Sequence, residues 1–166
     1  NLIKESDYIR NEIDVKIHLH KLLPMGAGIG GGSSNGAFTL KLINQVLSLN
    51  LSQETLERFA GKLGSDCPFF IENKPRFCFG KGTDFEEISL SLKGKYIILI
   101  NPEIHVATQE AYSFITPKKP EKSIKEIIKL PISEWKNNLV NDFEAGVGKK
   151  YPEILQVKEK LYQNGA

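Results

Sequence analysis

Six glycines lie within one stretch of eleven residues, and this cluster constrains the fold more than any other feature of the sequence. The chain has 14 glycines in all, and the clustered ones are Gly26, Gly28, Gly30, Gly31, Gly32 and Gly36. Three consecutive glycines at a helix start cost about 1 kcal/mol each relative to alanine, which disfavours a loop chosen for turn geometry alone. Because glycine carries no side chain, the backbone N–H groups of such a loop can approach a ligand closely. We therefore predict a binding loop.

The cluster lies between a predicted strand and a predicted helix. Residues 14–20 alternate polar and apolar side chains, which predicts a strand with one buried face that ends near Pro24. After the glycines, Ser34 or Asn35 is the predicted N-cap of a helix, whose apolar stripe is Ala37, Leu40, Ile43 and Leu47. A loop at a helix N-terminus favours an anion, so we expect it to bind phosphate.

The predicted phosphate-binding residues form one continuous segment, called the glycine loop below. They are Pro24, Met25, Gly26, Ala27, Gly28, Ile29, Gly30, Gly31, Gly32, Ser33 and Ser34. The two serine hydroxyls can bind phosphate oxygens or help to hold Mg²⁺, and Ser34 is the predicted metal ligand.

The glycine loop can be compared with two known types of phosphate-binding loop. A Walker A loop needs a lysine before the hydroxyl, and Gly31-Gly32-Ser33 has none. A dinucleotide-binding fingerprint is met by Gly26, Gly28 and Gly31, but no Asp or Glu follows between Gly26 and Gln53 to hold a ribose. A dinucleotide-binding oxidoreductase therefore remains the second hypothesis.

Further elements are predicted along the chain. Ser52 caps a second helix that Gly64 ends, with the apolar stripe Leu56, Phe59, Ala60 and Leu63. A turn follows at residues 65–68, and short β-prone runs follow at 69–71, 77–79 and 88–92. Residues 96–100 form a nearly continuous apolar run, typical of a strand covered on both faces. Later helices are predicted near 108–114, from Ile124, and from Pro152 to Gly165.

Composition excludes several classes of partner. Twenty-two Lys and Arg against 20 Asp and Glu give a net charge of +2, so neither nucleic acid nor another polyanion is expected. No apolar run reaches the length of a membrane span. Cys67 and Cys78 show no metal-ligand spacing and are interpreted as reduced core residues of a cytoplasmic protein. His18 and His20 are interpreted as exposed polar residues and not as metal ligands.

Two segments resemble the GHMP small-molecule kinases. The glycine loop is similar to that family's second signature, and Gly64-Ser65-Asp66-Cys67-Pro68-Phe69-Phe70 is similar to a segment of one branch. The resemblance covers roughly residues 13–144. It implies an ATP-dependent kinase that uses Mg²⁺ and phosphorylates a hydroxyl of a small molecule, a cytidine-diphosphate-linked polyol. A different kinase of this family is the nearest alternative.

The resemblance also implies roles for three residues outside the loop. The catalytic Asp of the family falls on Asp66, although an Asp before a proline turn also commonly binds local backbone N–H groups. The family's lysine partner for this Asp is not assigned to any residue here. Thr108 and Tyr112 match a segment that contacts substrate, with the aromatic ring stacked on cytosine. Without the resemblance, packing of Tyr112 and Phe114 on the core is the simpler interpretation.

The implied fold is α+β, with the two-lobe GHMP-kinase architecture. We expect a partial N-terminal lobe like ribosomal protein S5 domain 2 at residues 1–92, and a partial ferredoxin-like C-terminal lobe at 93–166. On the family pattern, both ends are expected to be incomplete.

Overall fold

The computed structural model describes residues 14–23 and 25–166. The chain divides into two compact units, of which the first ends at Ser89 and the second is Leu90–Ala166. Within the described ranges there are eight helices and one two-stranded antiparallel sheet, an arrangement compatible with the predicted α+β class. None of the helices in these ranges is long and apolar enough to cross a membrane.

Three helices build the core of the first unit: α1 (Gly31–Val46), α2 (Gln53–Leu63) and α3 (Phe69–Glu72). The buried core residues are Ala37, Leu40, Leu51, Leu56, Phe59, Ala60, Cys67 and Ile71. Ser52 caps α2 as predicted, since its hydroxyl accepts a hydrogen bond from the Thr55 N–H. The side-chain oxygen of Asn44 accepts the Leu51 N–H at 2.9 Å, which ties α1 to the segment before α2. The helical periodicity of the sequence therefore identifies the faces of α1 and α2 that pack together.

A short hairpin follows α3. Strand β1 (Arg76–Phe79) pairs antiparallel with β2 (Asp84–Glu87), with Arg76 opposite Glu87 and Phe79 opposite Asp84. Arg76 forms ion pairs with Glu72 on α3 and with Glu57 on α2. The strand predicted at residues 77–79 is thus confirmed.

The second unit is built from five helices. They are α4 (Thr108–Ser113), α5 (Ile124–Ile127), α6 (Ile132–Asn138), α7 (Phe143–Lys150) and α8 (Pro152–Gln163). Helix α8 begins with Pro152 at its first turn, as predicted, because a proline there has no N–H to satisfy. Ser123 and Glu126 form a reciprocal capping box on α5. Helices α6 and α7 lack a clear apolar period and were not predicted.

Three predicted strands are absent from the described residues, namely those at 14–20, 88–92 and 96–100. In the last of these, Tyr96 exposes 99% of its surface and Ile100 exposes 52%. A strand exists only where a neighbour accepts and donates its backbone hydrogen bonds, and none of the described residues pairs with these segments. Alternation and apolarity alone are therefore insufficient to make them strands.

Two local predictions are also wrong. Helix α1 begins at Gly31, and its N-cap Gly30 lies four or five residues before the predicted caps Ser34 and Asn35. The positive φ of Gly30 turns the chain into the helix within the glycine run itself. The β-prone run after Pro68 forms α3, because Pro68 has helical φ and ψ and Ile71 is buried in the core.

Candidate functional site

The glycine loop surrounds a small cavity at the N-terminus of α1. The cavity has a volume of about 170 Å³, and its lining residues are Lys21, Gly26, Ala27, Gly28, Ile29, Gly30, Gly31, Gly32 and Ser33. This volume is smaller than that of a cavity for a whole cofactor and suits a phosphate group. Met25 and Ser34 do not line it, and Pro24 lies outside the described residues.

The electrostatics of this cavity favour an anion. The first backbone bond of α1 joins the Ser34 N–H to the Gly30 carbonyl, so the N–H groups before Ser34 have no partner within the helix. No acidic residue lies in the first turn of α1. The helix is 16 residues long, and the positive end of its dipole is therefore left for a ligand.

Lys21 adds a positive charge that the sequence analysis did not assign. Its side chain lines the cavity, and a Cβ placed on Gly31 would lie 4.0 Å from its Nζ. The only sign of this role in the sequence is that Lys21 lies five residues before the first glycine of the loop. The position of its side chain depends on the conformation of the loop, which the sequence alone does not give. The cavity therefore combines backbone N–H groups with one ammonium group.

Phe70 brings the two segments of the family resemblance together. Gly30 has a φ of +67°, and a Cβ built there would lie 3.0 Å from Cζ and 3.3 Å from Cε2 of the Phe70 ring. The Phe69 ring meets Phe70 edge-on, with centroids 5.1 Å apart. The ring of Phe70 thus packs against the glycine loop and leaves no free space for a side chain at Gly30.

Asp66 lies in the predicted turn at residues 65–68 and is exposed. The Ser65 hydroxyl donates a hydrogen bond of 3.2 Å to Asp66 Oδ1, and a Cβ on Gly82 in the hairpin turn would lie 4.0 Å from the same oxygen.

Burial raises the pKa of the Cys78 thiol, Arg76 opposes this increase, and the Asp66 carboxylate adds to it. Cys78 is nevertheless an exposed residue, so the prediction that both cysteines are core residues is correct only for Cys67. Cys78 lies in the outward half of β1, whereas Cys67 is turned into the helical core.

Asp66 is not among the residues that line the glycine-loop cavity. It precedes Phe70 by four residues, and Phe70 touches the loop. Asp66 is therefore exposed in the turn that precedes the Phe70 contact.

Thr108 and Tyr112 both lie on α4 in the second unit. Thr108 is the first residue of this helix and is exposed, and Tyr112 exposes 63% of its surface. The Tyr112 ring meets Phe143 of α7 in a T-shaped pair with centroids 5.0 Å apart. Tyr112 is thus an exposed ring supported on one side, which is the form of a stacking platform.

Within the described residues, no group of three or more His, Cys, Asp or Glu side chains could hold a metal ion.

The first part of the chain, which contains the glycine loop and α1, is similar to a known family. Residues 1–74 match the family model described as GHMP kinases N terminal domain. This match favours the kinase hypothesis over a dinucleotide-binding fold.

The curated relatives of the chain share one name. The chain is 51% identical over 152 residues to the 4-diphosphocytidyl-2-C-methyl-D-erythritol kinase of Parabacteroides distasonis, covering 92% of this chain and 56% of that protein. The kinase of the same name from Bacteroides thetaiotaomicron is 52% identical over 152 residues, with the same two shares. That of Cytophaga hutchinsonii is 51% identical over 153 residues, which are 92% of this chain and 57% of that protein. The chain thus spans little more than half the length of these relatives.

Proposed function

We propose that this chain is part of a kinase that transfers the γ-phosphoryl group of ATP to a hydroxyl of 4-(cytidine 5′-diphospho)-2-C-methyl-D-erythritol, a step of non-mevalonate isoprenoid precursor synthesis. The observation that carries this proposal is the cavity of the glycine loop at the N-terminus of α1, with Lys21 beside it. The names of the relatives supply the substrate, and the cavity supplies a physical basis for phosphate binding.

The glycine loop binds the phosphates of ATP in this proposal. Backbone N–H groups at the start of α1 donate hydrogen bonds to phosphate oxygens, and Lys21 offsets part of their charge. Mg²⁺ fits this site together with phosphate oxygens, because the hydroxyls of Ser33 and Ser34 lie at the start of α1 and are oxygen ligands of the kind that it prefers. When bound, the ion neutralises charge on the transferred phosphoryl group.

Asp66 accepts or orients the proton of the acceptor hydroxyl. Its exposure allows the acceptor to reach the carboxylate, and it lies four residues before Phe70, which packs on the loop. General base catalysis of this kind is worth about 10²- to 10⁴-fold in rate.

Thr108 and Tyr112 bind the cytidine end of the substrate. The exposed Tyr112 ring offers a face on which a pyrimidine can stack, and Thr108 offers a hydroxyl one turn earlier on the same helix. In this proposal the first unit corresponds to the lobe like ribosomal protein S5 domain 2, and the second to the ferredoxin-like lobe.

The experiment that tests the proposed function measures ADP release by the full chain with ATP, Mg²⁺ and alternative acceptors. We expect release to depend on the cytidine-diphosphate-linked methylerythritol and to be absent with mevalonate or homoserine. Phosphorylation of either alternative acceptor at a comparable kcat/KM would contradict the substrate assignment. Binding of NAD in place of ATP would instead support the dinucleotide-binding hypothesis.

A further inference from the structure

Helix α4, which carries Thr108 and Tyr112, depends on its neighbours for its position. It has six residues, none of them buried, and no side chain caps its N-terminus. A helix of this length is not stable alone, because most helical stability in proteins comes from packing. The orientation of Tyr112 is therefore set by the contacts that hold α4 in place.

The carboxylate of Glu110 makes the polar contacts between α4 and the end of α7. It accepts a hydrogen bond from the Lys150 ammonium at the end of α7, and both of its oxygens lie 3.2 Å from the Tyr151 hydroxyl. The Lys150 Nζ also lies 5.5 Å from the centroid of the Tyr151 ring. The hydrogen bond from Lys150 lowers the pKa of the Glu110 carboxyl and raises the pKa of the Lys150 ammonium. The three side chains thus form one cluster, called the Glu110 cluster below.

Two apolar contacts attach α4 along the rest of α7. Phe114 packs so closely on Gly146 that a Cβ on Gly146 would overlap the Cβ of Phe114. Tyr112 meets Phe143, the first residue of α7. The attachments therefore fall at the start, the middle and the end of an eight-residue helix that is about 12 Å long. Loss of the attachment at the end frees α4 to rotate about the other two.

We propose that Glu110 is a positioning residue of the cytidine subsite. Through Lys150 and Tyr151 it fixes α4 on α7, so that the Tyr112 ring is held ready to stack on the nucleobase. Glu110 itself does not touch the substrate. This inference rests on the proposed function, because the cytidine subsite is assigned to Tyr112 there.

The test compares steady-state kinetics of the full chain with four variants. Glu110→Ala removes the cluster, Glu110→Gln keeps an acceptor for Tyr151 but loses the charge, and Tyr151→Phe removes only the hydroxyl. Glu159→Ala is the matched control, since it removes an exposed carboxylate from α8 of the same unit. Thermal unfolding of each variant verifies that it folds.

We expect Glu110→Ala to raise the KM for the cytidine substrate by about 5-fold or more, because a stacked base accounts for about 5- to 150-fold in affinity. The KM for ATP and kcat stay within about twofold of the wild type, because the glycine loop is unchanged. Glu110→Gln and Tyr151→Phe give intermediate values, and Glu159→Ala matches the wild type. Equal changes in both KM values, or no change in either, would overturn the proposal.

A double-mutant cycle tests whether Glu110 acts through Tyr112. In a Tyr112→Leu background, Glu110→Ala is expected to raise the cytidine KM by less than about twofold, since the ring that it positions is already absent. A full additional effect in that background would contradict positioning.

The rate of the wild type tests the proposed function, and the ratio of the variant KM to the wild-type KM tests the positioning role of Glu110. If the wild type does not phosphorylate the cytidine substrate, the proposed function fails, and calorimetric binding of cytidine 5′-diphosphate replaces the KM. Weaker binding by Glu110→Ala would then still support positioning, whereas unchanged binding, or no binding by the wild type, would overturn it.

Discussion

Two single-methyl substitutions in the glycine loop are expected to have opposite effects on stability. In Gly30→Ala, the backbone of residue 30 keeps its φ of +67°, and the new Cβ lies 3.0 Å from the Phe70 ring. In Gly32→Ala, the new Cβ has no atom within 4 Å and the backbone is helical. The second variant is thus a matched control for the first.

The magnitudes follow from this geometry. A left-handed conformation costs an alanine about 1–2 kcal/mol, and displacement of the Phe70 ring adds to it, so Gly30→Ala lowers the free energy of unfolding by about 1–3 kcal/mol. Gly32→Ala raises it by up to about 1 kcal/mol, because alanine favours a helix over glycine. The two variants are therefore expected to differ by about 1–4 kcal/mol.

The two variants are expected to rank in the opposite order for ATP binding. Gly32→Ala is the more stable variant but the weaker binder of ATP. In the proposed function, a phosphate approaches the backbone through the open space above Gly32, so a methyl group there is expected to displace it. Loss of one charge-assisted hydrogen bond raises the KM for ATP by about 10-fold or more in Gly32→Ala. Urea unfolding and steady-state kinetics measure the two effects. A Gly32→Ala variant with the KM for ATP of the wild type, or a Gly30→Ala variant as stable as Gly32→Ala, would refute the reasoning.

Three further predictions concern charge, core packing and pH. Lys21→Met should raise the KM for ATP by about 10-fold through loss of a charge-assisted contact. Lys16→Met, at an exposed position of the same segment, should leave this KM unchanged. Equal KM values for the two variants would show that Lys21 does not contribute to the site. Phe59→Ala should lower the free energy of unfolding by about 3–5 kcal/mol, because Phe59 exposes only 2% of its surface; urea unfolding with a loss below about 1 kcal/mol would contradict the described core. Lys150 lowers the pKa of Glu110, so Glu110 stabilises the fold above the ordinary pKa of about 4.3 and loses this effect as pH falls through the lowered pKa. The difference in stability between wild type and Glu110→Gln should therefore shrink on acidification, and a constant difference from pH 7 to pH 3 would argue against the ion pair.

Local signals predicted α2 and the buried face of α1 well. Ser52 and Gly64 mark the ends of α2, and the burial of Ala37 and Leu40 follows the predicted stripe of α1. These features depend on residues within one or two turns of each other, so the sequence contains the information needed.

Features that depend on distant residues were predicted poorly. The run from Tyr96 has the composition of a strand, but a strand needs a partner that composition does not identify. The glycine loop was predicted as a phosphate site from its residues alone. By contrast, its contact with Phe70 and the approach of Lys21 depend on the positive φ values of the loop, which set the direction of the chain. The Glu110 cluster joins residues 40 positions apart and carried no signal in the sequence.

The most direct test of the central claim is the rate of phosphoryl transfer with Asp66→Asn. The substitution keeps the size of the side chain and removes its charge, and Asp84→Asn on the neighbouring hairpin is the matched control. We expect wild type and Asp84→Asn to phosphorylate the cytidine-diphosphate-linked methylerythritol at similar kcat, and Asp66→Asn to be slower by about 10²-fold or more. An Asp66→Asn rate within a few-fold of the wild type would contradict the role of this carboxylate in the reaction.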